Sequence, residues 1–216
     1  MSTLLLRLAA PLQSWGTESK FERRATGREP SKSGVIGLLA AALGRRRDEQ
    51  LDDLASLKFG VRFIRAGQVM VDYHTARSSR QTYVTKREYL EDAIFLVGLE
   101  GEFEFLQTLD LAVKAPYFPL YLGRRSCPPT GRISLGIRDV SLKEALLNEP
   151  FGSETDSDES RRCILHLDTD EVGAHRQRDL PISFSQKYRQ FTYRYIMSTA
   201  EFAECRTDHN AFEGMD

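Results

Sequence analysis

VMVDYHTARSSRQTYVTKREYLEDAIFLVGL, residues 69–99, is the stretch that decides the fold. Its two ends read as extended chain, and its middle, ARSSRQ at 76–81, is polar and turn-like. The reading is a long hairpin arm over about 69–88 that returns into an apolar strand, DAIFLVGL at 92–99. Just upstream, KFGVRFIR (58–65) alternates, with Phe59, Val61 and Phe63 on one face and Gly60 and Arg62 on the other. That period of two marks a strand with one buried face. At the start of the chain, TLLLRLA (3–9) is a short apolar run ended by Pro11. A long irregular segment (11–34) leads into a helix, VIGLLAAALG (35–44), with Ser31 or Ser33 as its cap and Gly44 at its end. A short acidic helix is expected at about 48–57. Downstream of the arm, Phe103, Leu106, Leu109 and Val113 fall near helical spacing, and Pro116 stops that helix. YFPLYLG (117–123) then reads as a short strand.

The order strand, helix, strand, strand, helix, strand predicts an α+β protein with a ferredoxin-like (RRM-like) core and a long β-hairpin thumb. Its four-stranded antiparallel sheet should carry helices on one face and leave the other free. This domain would occupy residues 1–138. A smaller mixed C-terminal region, 139–216, contains KEALL, RCILHL, LPISF and YRYIM, with an acidic loop at about 148–160.

The 216 residues include 41% hydrophobic side chains, enough for a proper core, and the net charge is −1. That balance hides an asymmetry. Residues 1–150 carry 22 Lys and Arg against 18 Asp and Glu, whereas 151–216 carry 8 against 13. A basic stripe can therefore exist in a nearly neutral protein. Cys127, Cys163 and Cys205 are scattered and fit free thiols in a reducing cytosol. The opening MSTLLLRLAAPLQSWG lacks a cationic leader, and no run reaches the roughly 20 apolar residues of a spanning helix, so no membrane is expected. No nucleophile elbow, P-loop, zinc-protease or dinucleotide motif appears, and the histidines are not at ligand spacing, so no cofactor or metal is expected.

Three basic clusters stand out. ERRATGREPSKSG (22–34) interleaves Arg23, Arg24, Arg28 and Lys32 with Thr26, Ser31 and Ser33 just ahead of a helix N-terminus. Arginines, hydroxyls and free amides are what phosphate oxygens accept. YLGRRSCPP (121–129) adds Tyr121, Gly123, the forked donors Arg124 and Arg125, and two stiffening prolines. Cys127 there reads as a small buried filler. The arm brings Tyr73, His74, Arg77, Arg80, Tyr83, Lys86 and Arg87, a mixture suited to gripping a backbone and stacking on bases. Each cluster also fits a solvated loop or an exposed hairpin that meets another protein.

LLLRLAAPLQSWG (4–16), TGREPSKSGVIGLLAAALG (26–44), DYHT (72–75), REYLEDA (87–93), YLGRRSCPP (121–129) and ALLNEP (145–150), in this order, resemble the fifth Cas protein family of the RAMP superfamily. The likeness is to the form found in type I-E CRISPR surveillance complexes, called Cascade, and covers roughly residues 4–150. It implies a cytoplasmic, non-catalytic RNA-binding subunit of antiviral defence that caps the 5′ handle of the CRISPR RNA. Its neighbours would be the backbone subunit CasC and the large subunit CasA, with target DNA reached indirectly. The resemblance places the handle surface on Arg87, Tyr121, Gly123, Arg124, Arg125 and Ser126, with the basic loop adding Arg24, Arg28, Lys32 and Ser33. Position on the arm adds Arg77, Arg80 and Lys86. The arm is shorter than the subtype implies. A relative in another subtype is a metal-independent endoribonuclease that processes precursor CRISPR RNA. The alternative expectation is therefore cleavage by Tyr73, His74 and Lys86, although in type I-E systems the CasE subunit cuts. A third is a protein-interaction module with basic loops.

Overall fold

The computed structural model of the chain describes residues 1–16, 19–20, 23–77, 82–150, 160–171 and 173–204. Strand β1 is Ser2–Ala9, followed by the two-residue strands β2 (Leu12–Gln13), β3 (Ser19–Lys20) and β4 (Arg23–Arg24). Helix α1 (Lys32–Ala42) and the single turn α2 (Asp52–Ala55) precede β5 (Lys58–Arg65), β6 (Gln68–Arg77), β7 (Thr82–Glu91) and β8 (Ile94–Gly101). Then come α3 (Phe103–Lys114), β9 (Ser134–Arg138) and α4 (Leu142–Asn148). The last strands are β10 (Ser160–Asp168), β11 (His175–Ser183) and β12 (Gln190–Glu204).

Seven strands form one sheet in the order β11-β12-β10-β5-β8-β1-β9, every pair antiparallel. The central part, β5-β8-β1-β9, carries the expected alternation of strands and helices. The C-terminal strands extend this same sheet, because β10 pairs with β5. On one face Leu4, Leu6, Leu8, Phe59, Val61, Phe95 and Val97 pack against Val35, Ile36 and Leu39 of α1 and Leu106, Leu109 and Val113 of α3. Phe59 is thus core, and Phe63 meets Phe95 edge to face at 5.5 Å, which puts the aromatic side of KFGVRFIR on the packed face.

The opposite face, expected to be open, is covered by α4. Leu142, Ala145 and Leu146 pack there with Leu5, Leu96, Leu165 and Leu167. Two glycines make room for the helix. Gly60 and Gly98 are register partners on neighbouring strands. A Cβ on Gly98 would lie 2.5 Å from Leu142 Cδ1, and one on Gly60 2.8 Å from Leu146 Cδ1. Arg62, on this face, donates through one amino group to the carbonyls of Leu146 (2.9 Å), Leu147 (3.2 Å) and Glu149 (3.0 Å). Those are the orphan acceptors of a helix C-terminus, where a cation also complements the dipole. The alternation of KFGVRFIR therefore records two different coverings rather than a buried and a wet side.

YFPLYLG is not a strand. The amides of Tyr117 and Phe118 donate to Ala42 and Ala41 at the end of α1, at 2.9 and 3.2 Å. The fourth strand of the pattern is β9, which pairs with β1. The expected acidic helix at 48–57 is only the single turn of α2. The arm is as expected: β6 and β7 pair from Gln68↔Glu91 to Arg77↔Thr82. Ten residues per strand reach roughly 33 Å. The base of β7 joins a second sheet with β2 and β4. The arm tip with Arg80, residues 151–159 of the acidic loop, and the C-terminal residues 205–216 with Cys205 lie outside the described residues.

Candidate nucleic-acid interface

The loop YLGRRSCPP is built from two buried anchors, Leu122 and Cys127. Leu122 donates its amide to Cys127 O at 2.8 Å, and Cys127 donates to Arg124 O at 2.8 Å, closing a tight turn over 124–127. Ser14 N donates to Leu122 O at 3.1 Å, joining the loop to the segment after β1. Gly123 has φ +87°, and a Cβ there would stand 1.6 Å from Ser14 O. Only glycine fits a backbone held that close at that dihedral. Burial is the main influence on the Cys127 thiol and pushes its pKa up, which makes it a poor nucleophile.

Arg124 ties three distant parts of the chain together. One amino group donates to Glu88 O at 3.0 Å, the other to Arg24 O at 2.9 Å. The guanidinium lies over the Tyr89 ring at 4.6 Å. Burial pushes the Tyr89 phenol up, but hydrogen bonding with Ser126, Arg124 and Arg87 outweighs that and leaves it below the ordinary tyrosine value. The basic segment meets the arm as well: β4 runs parallel to β7 with Arg23↔Lys86 and Arg24↔Arg87.

The irregular stretch after β1 is pinned by Trp15. Its amide donates to the Thr26 hydroxyl oxygen at 2.8 Å, its carbonyl accepts from Gly27 N at 2.6 Å, and its indole N–H donates to Gln13 at 2.9 Å. Its ring packs on Gly34, where a Cβ would be 2.8 Å away. Glu29 pairs with His166 on β10 and fixes the far end of the basic loop.

These contacts leave a cleft of about 540 Å³ lined by Arg24, Ser31, Ser33, Gly123, Arg124 and Arg189, with Trp15 and Phe184 among its walls. Among the expected site residues, Arg24, Ser33, Gly123 and Arg124 line it. Arg125 and Ser126 are exposed on the same turn, Tyr121 is half-buried beside it, and Arg28 is exposed on the basic loop. Arg87 is half-buried at the arm base, and its Nε is buried without a partner among the described residues. Lys86 is exposed and lies over the Tyr73 ring at 5.5 Å. Arg77 is exposed near the outer end of the arm.

Lys32 does not reach the cleft. It is 4% exposed, and its ammonium is paired with Asp168 at 2.9 Å. The N-terminus of α1, expected to be an anion site, is taken by the protein's own groups. Ser31 Oγ accepts from Gly34 N at 3.2 Å, and Asp179 accepts from Lys32 N at 2.8 Å. The same Asp179 is held by Arg194 at 2.6 Å. A carboxylate from the β11 strand therefore occupies the place left for phosphate. Tyr73 and Lys86 face each other in register, whereas His74 follows Tyr73 and so points to the other side of the ladder.

Three features of the candidate site escaped the sequence reading. Phe184 and Arg189 enter the cleft from the β11–β12 connection. Tyr89 is the platform under Arg124. The interleaved aromatics and cations of FSQKYRQF (184–191) were the available signal for the first two.

A family profile described as CRISPR-associated protein (Cas_Cas5) matches residues 3–196. The chain is 39% identical over 185 aligned residues to the CRISPR system Cascade subunit CasD of Escherichia coli (strain K12), covering 74% of this chain and 82% of that one. A solved structure described as a Cas protein is 43% identical with a TM-score of 0.77, covering 92% of this chain and 94% of its own. A chain from a CRISPR RNA-guided surveillance complex is 34% identical with a TM-score of 0.81, covering 94% and 91%. The chain belongs to the Cas5 family of CRISPR-associated proteins.

Proposed function

We propose that this chain is a non-catalytic subunit of a type I-E CRISPR surveillance complex, Cascade, and that it caps the 5′ handle of the CRISPR RNA. The observation that carries the reading is the Arg124 clasp, which ties the arm base to the basic loop and the glycine-arginine turn, the two segments that line the cleft with Arg24, Ser33, Gly123 and Arg124. Arg24, Ser33, Arg125, Ser126 and the half-buried arm-base Arg87 would hold the sugar-phosphate chain there. The strand order β5-β8-β1-β9 supports a ferredoxin-like core over residues 1–138, with 139–216 as its buttress. The β6–β7 hairpin acts as a thumb across the RNA, where Tyr73, Arg77 and Lys86 touch bases or phosphates. Partners are CasC and CasA in the cytoplasm, with target DNA met indirectly. The similarity to a named Cascade subunit and to a chain of an RNA-guided complex supports this placement.

Endoribonuclease chemistry would need a base, an acid and a cation converging on one phosphodiester. The opposed faces of His74 and the Tyr73–Lys86 pair count against it. Incubation with precursor RNA in EDTA should leave the RNA intact; a discrete cut lost in His74→Ala would reverse the reading. For the scaffold, Arg87→Ala and Arg125→Ala should each weaken handle RNA binding by about 1–3 kcal/mol. Unchanged affinity in both at matched salt would remove the cleft as the RNA site.

A further inference from the structure

We infer that the outer face of the β11–β12 ladder is a second surface for single-stranded RNA, continuous with the cleft. Along β12, Arg194 (7% exposed) and Ile196 (3%) face inward, while Tyr193 (43%) and Tyr195 (48%) face out. Arg176 is the register partner of Tyr195, and its guanidinium lies 3.7 Å from the Tyr193 ring centroid. Arg178 Nε donates to Phe191 O at 3.5 Å, which lays that side chain along the strand. Arg189 lies over Phe191 at 5.3 Å, and Tyr188 beside it is 72% exposed.

The charge is one-sided. Between His175 and Met197 there are five Arg and Lys and one acid, Asp179. That acid is 1% exposed and neutralised by the buried Arg194. Arg176, Arg178, Lys187 and Arg189 remain outside, all exposed, with no exposed carboxylate between them. The acidity of the C-terminal third therefore lies in other segments. Flat aromatic rings beside arginines are a sequence-tolerant platform for unpaired bases, with the guanidinium groups available to phosphates.

Continuity with the cleft selects the occupant. Arg189 and Phe184 line the cleft itself, and from Arg189 the tyrosine row leads away along β12 to Tyr195. Six residues of strand cover roughly 20 Å. An RNA strand leaving the cleft would pass over Phe191, Tyr193 and Tyr195 in turn. The directional argument rests on the cleft reading given above; the composition of the ladder does not.

The test is fluorescence anisotropy of the full chain with 5′-fluorescein-labelled single-stranded RNA of about 8 and about 16 nucleotides, lengths that bracket single-domain site sizes. Tyr195→Ala should weaken the longer probe about fivefold or more and leave the shorter one unchanged. Tyr195→Phe, which keeps the ring, should bind as the parent does. Arg176→Ala should lower the salt slope on the longer probe by about 0.7, the loss of one phosphate contact. Arg125→Ala, in the cleft, should weaken both probes. If both ladder variants bind the longer probe normally while Arg125→Ala weakens both, the second surface is wrong and the cleft stands. If Arg125→Ala changes nothing and the ladder variants weaken binding, the cleft is wrong and the ladder stands. Ladder variants that bind RNA normally but no longer join the other subunits would make this face a protein contact and overturn the inference. Should Tyr195→Ala unfold, Arg176→Ala on the exposed surface decides alone.

Discussion

Gly123→Ala is the sharpest probe of how the arginine turn is held. The added Cβ would start 1.6 Å from Ser14 O, and such contacts essentially never fall below 3.0 Å, so the loop must open by at least 1.4 Å. The obstacle is backbone and cannot rotate away. Alanine at φ +87° adds left-handed strain of about 1–2 kcal/mol. Opening the loop also breaks the Ser14 N to Leu122 O bond, a loss of about 1 kcal/mol. The combined cost is about 3 kcal/mol, which in a chain of this length lowers Tm by roughly 6–12 °C. Arg124 and Arg125 follow the displaced turn, so handle RNA binding should fall about tenfold through loss of a charge-assisted contact. Gly173→Ala is the matched control. Its φ is +95° with nothing within 4 Å, so only the dihedral strain applies. Thermal unfolding and RNA titration of both variants separate the terms. Equal Tm losses for the two, with parental RNA affinity in Gly123→Ala, would refute the steric argument.

Other expectations follow from features away from the cleft. Arg62→Ala should cost about 3 kcal/mol in urea unfolding, because three carbonyls ending α4 lose a buried charged donor, and Arg62→Lys should recover only part. Gly98→Val should destabilise by about 2–3 kcal/mol by lifting α4 from the sheet, measurable by the same titration. Asp179→Ala should cost about 3 kcal/mol, since it leaves the buried cations Arg194 and Lys32 to share the single carboxylate of Asp168 and removes the acceptor of the Lys32 amide at the start of α1. Burial pushes the Asp110 carboxyl up, but hydrogen bonds from Lys114 and Ser134 hold it below the usual aspartate value. A depressed folded pKa means that its stabilisation is complete above the unfolded value of about 3.9 and is lost as pH falls through the folded one. The stability gap between the parent and Asp110→Asn should therefore be present at neutral pH and shrink once pH drops below about 4.

The parts legible in the sequence were those set by local pattern. The apolar run of β1, the alternation of β5, the helical spacing of Leu106, Leu109 and Val113, and the long arm all appear where periodicity places them. What stayed hidden depended on partners far along the chain. Arg62 looked like the wet side of a strand because α4, more than 80 residues later, supplies its acceptors. Lys32 looked like a phosphate ligand because Asp168, 136 residues away, cannot be paired with it by reading spacing. YFPLYLG has strand composition, yet its amides serve the end of α1. In the site, the three basic segments were visible individually, but their convergence rests on two backbone carbonyls, Arg24 O and Glu88 O, and carbonyls carry no sequence signature.

The margins of the large sheet carry a consequence of their own. One margin is β11, where the ladder slips twice in register and Pro181 lacks an amide to donate. The other is β9, five residues long, with Gly136 at φ +92°. Neither border offers a straight row of amides and carbonyls to an incoming chain. At β11 and β9 the array therefore resists extension: a second copy would gain little by laying a strand along either of them.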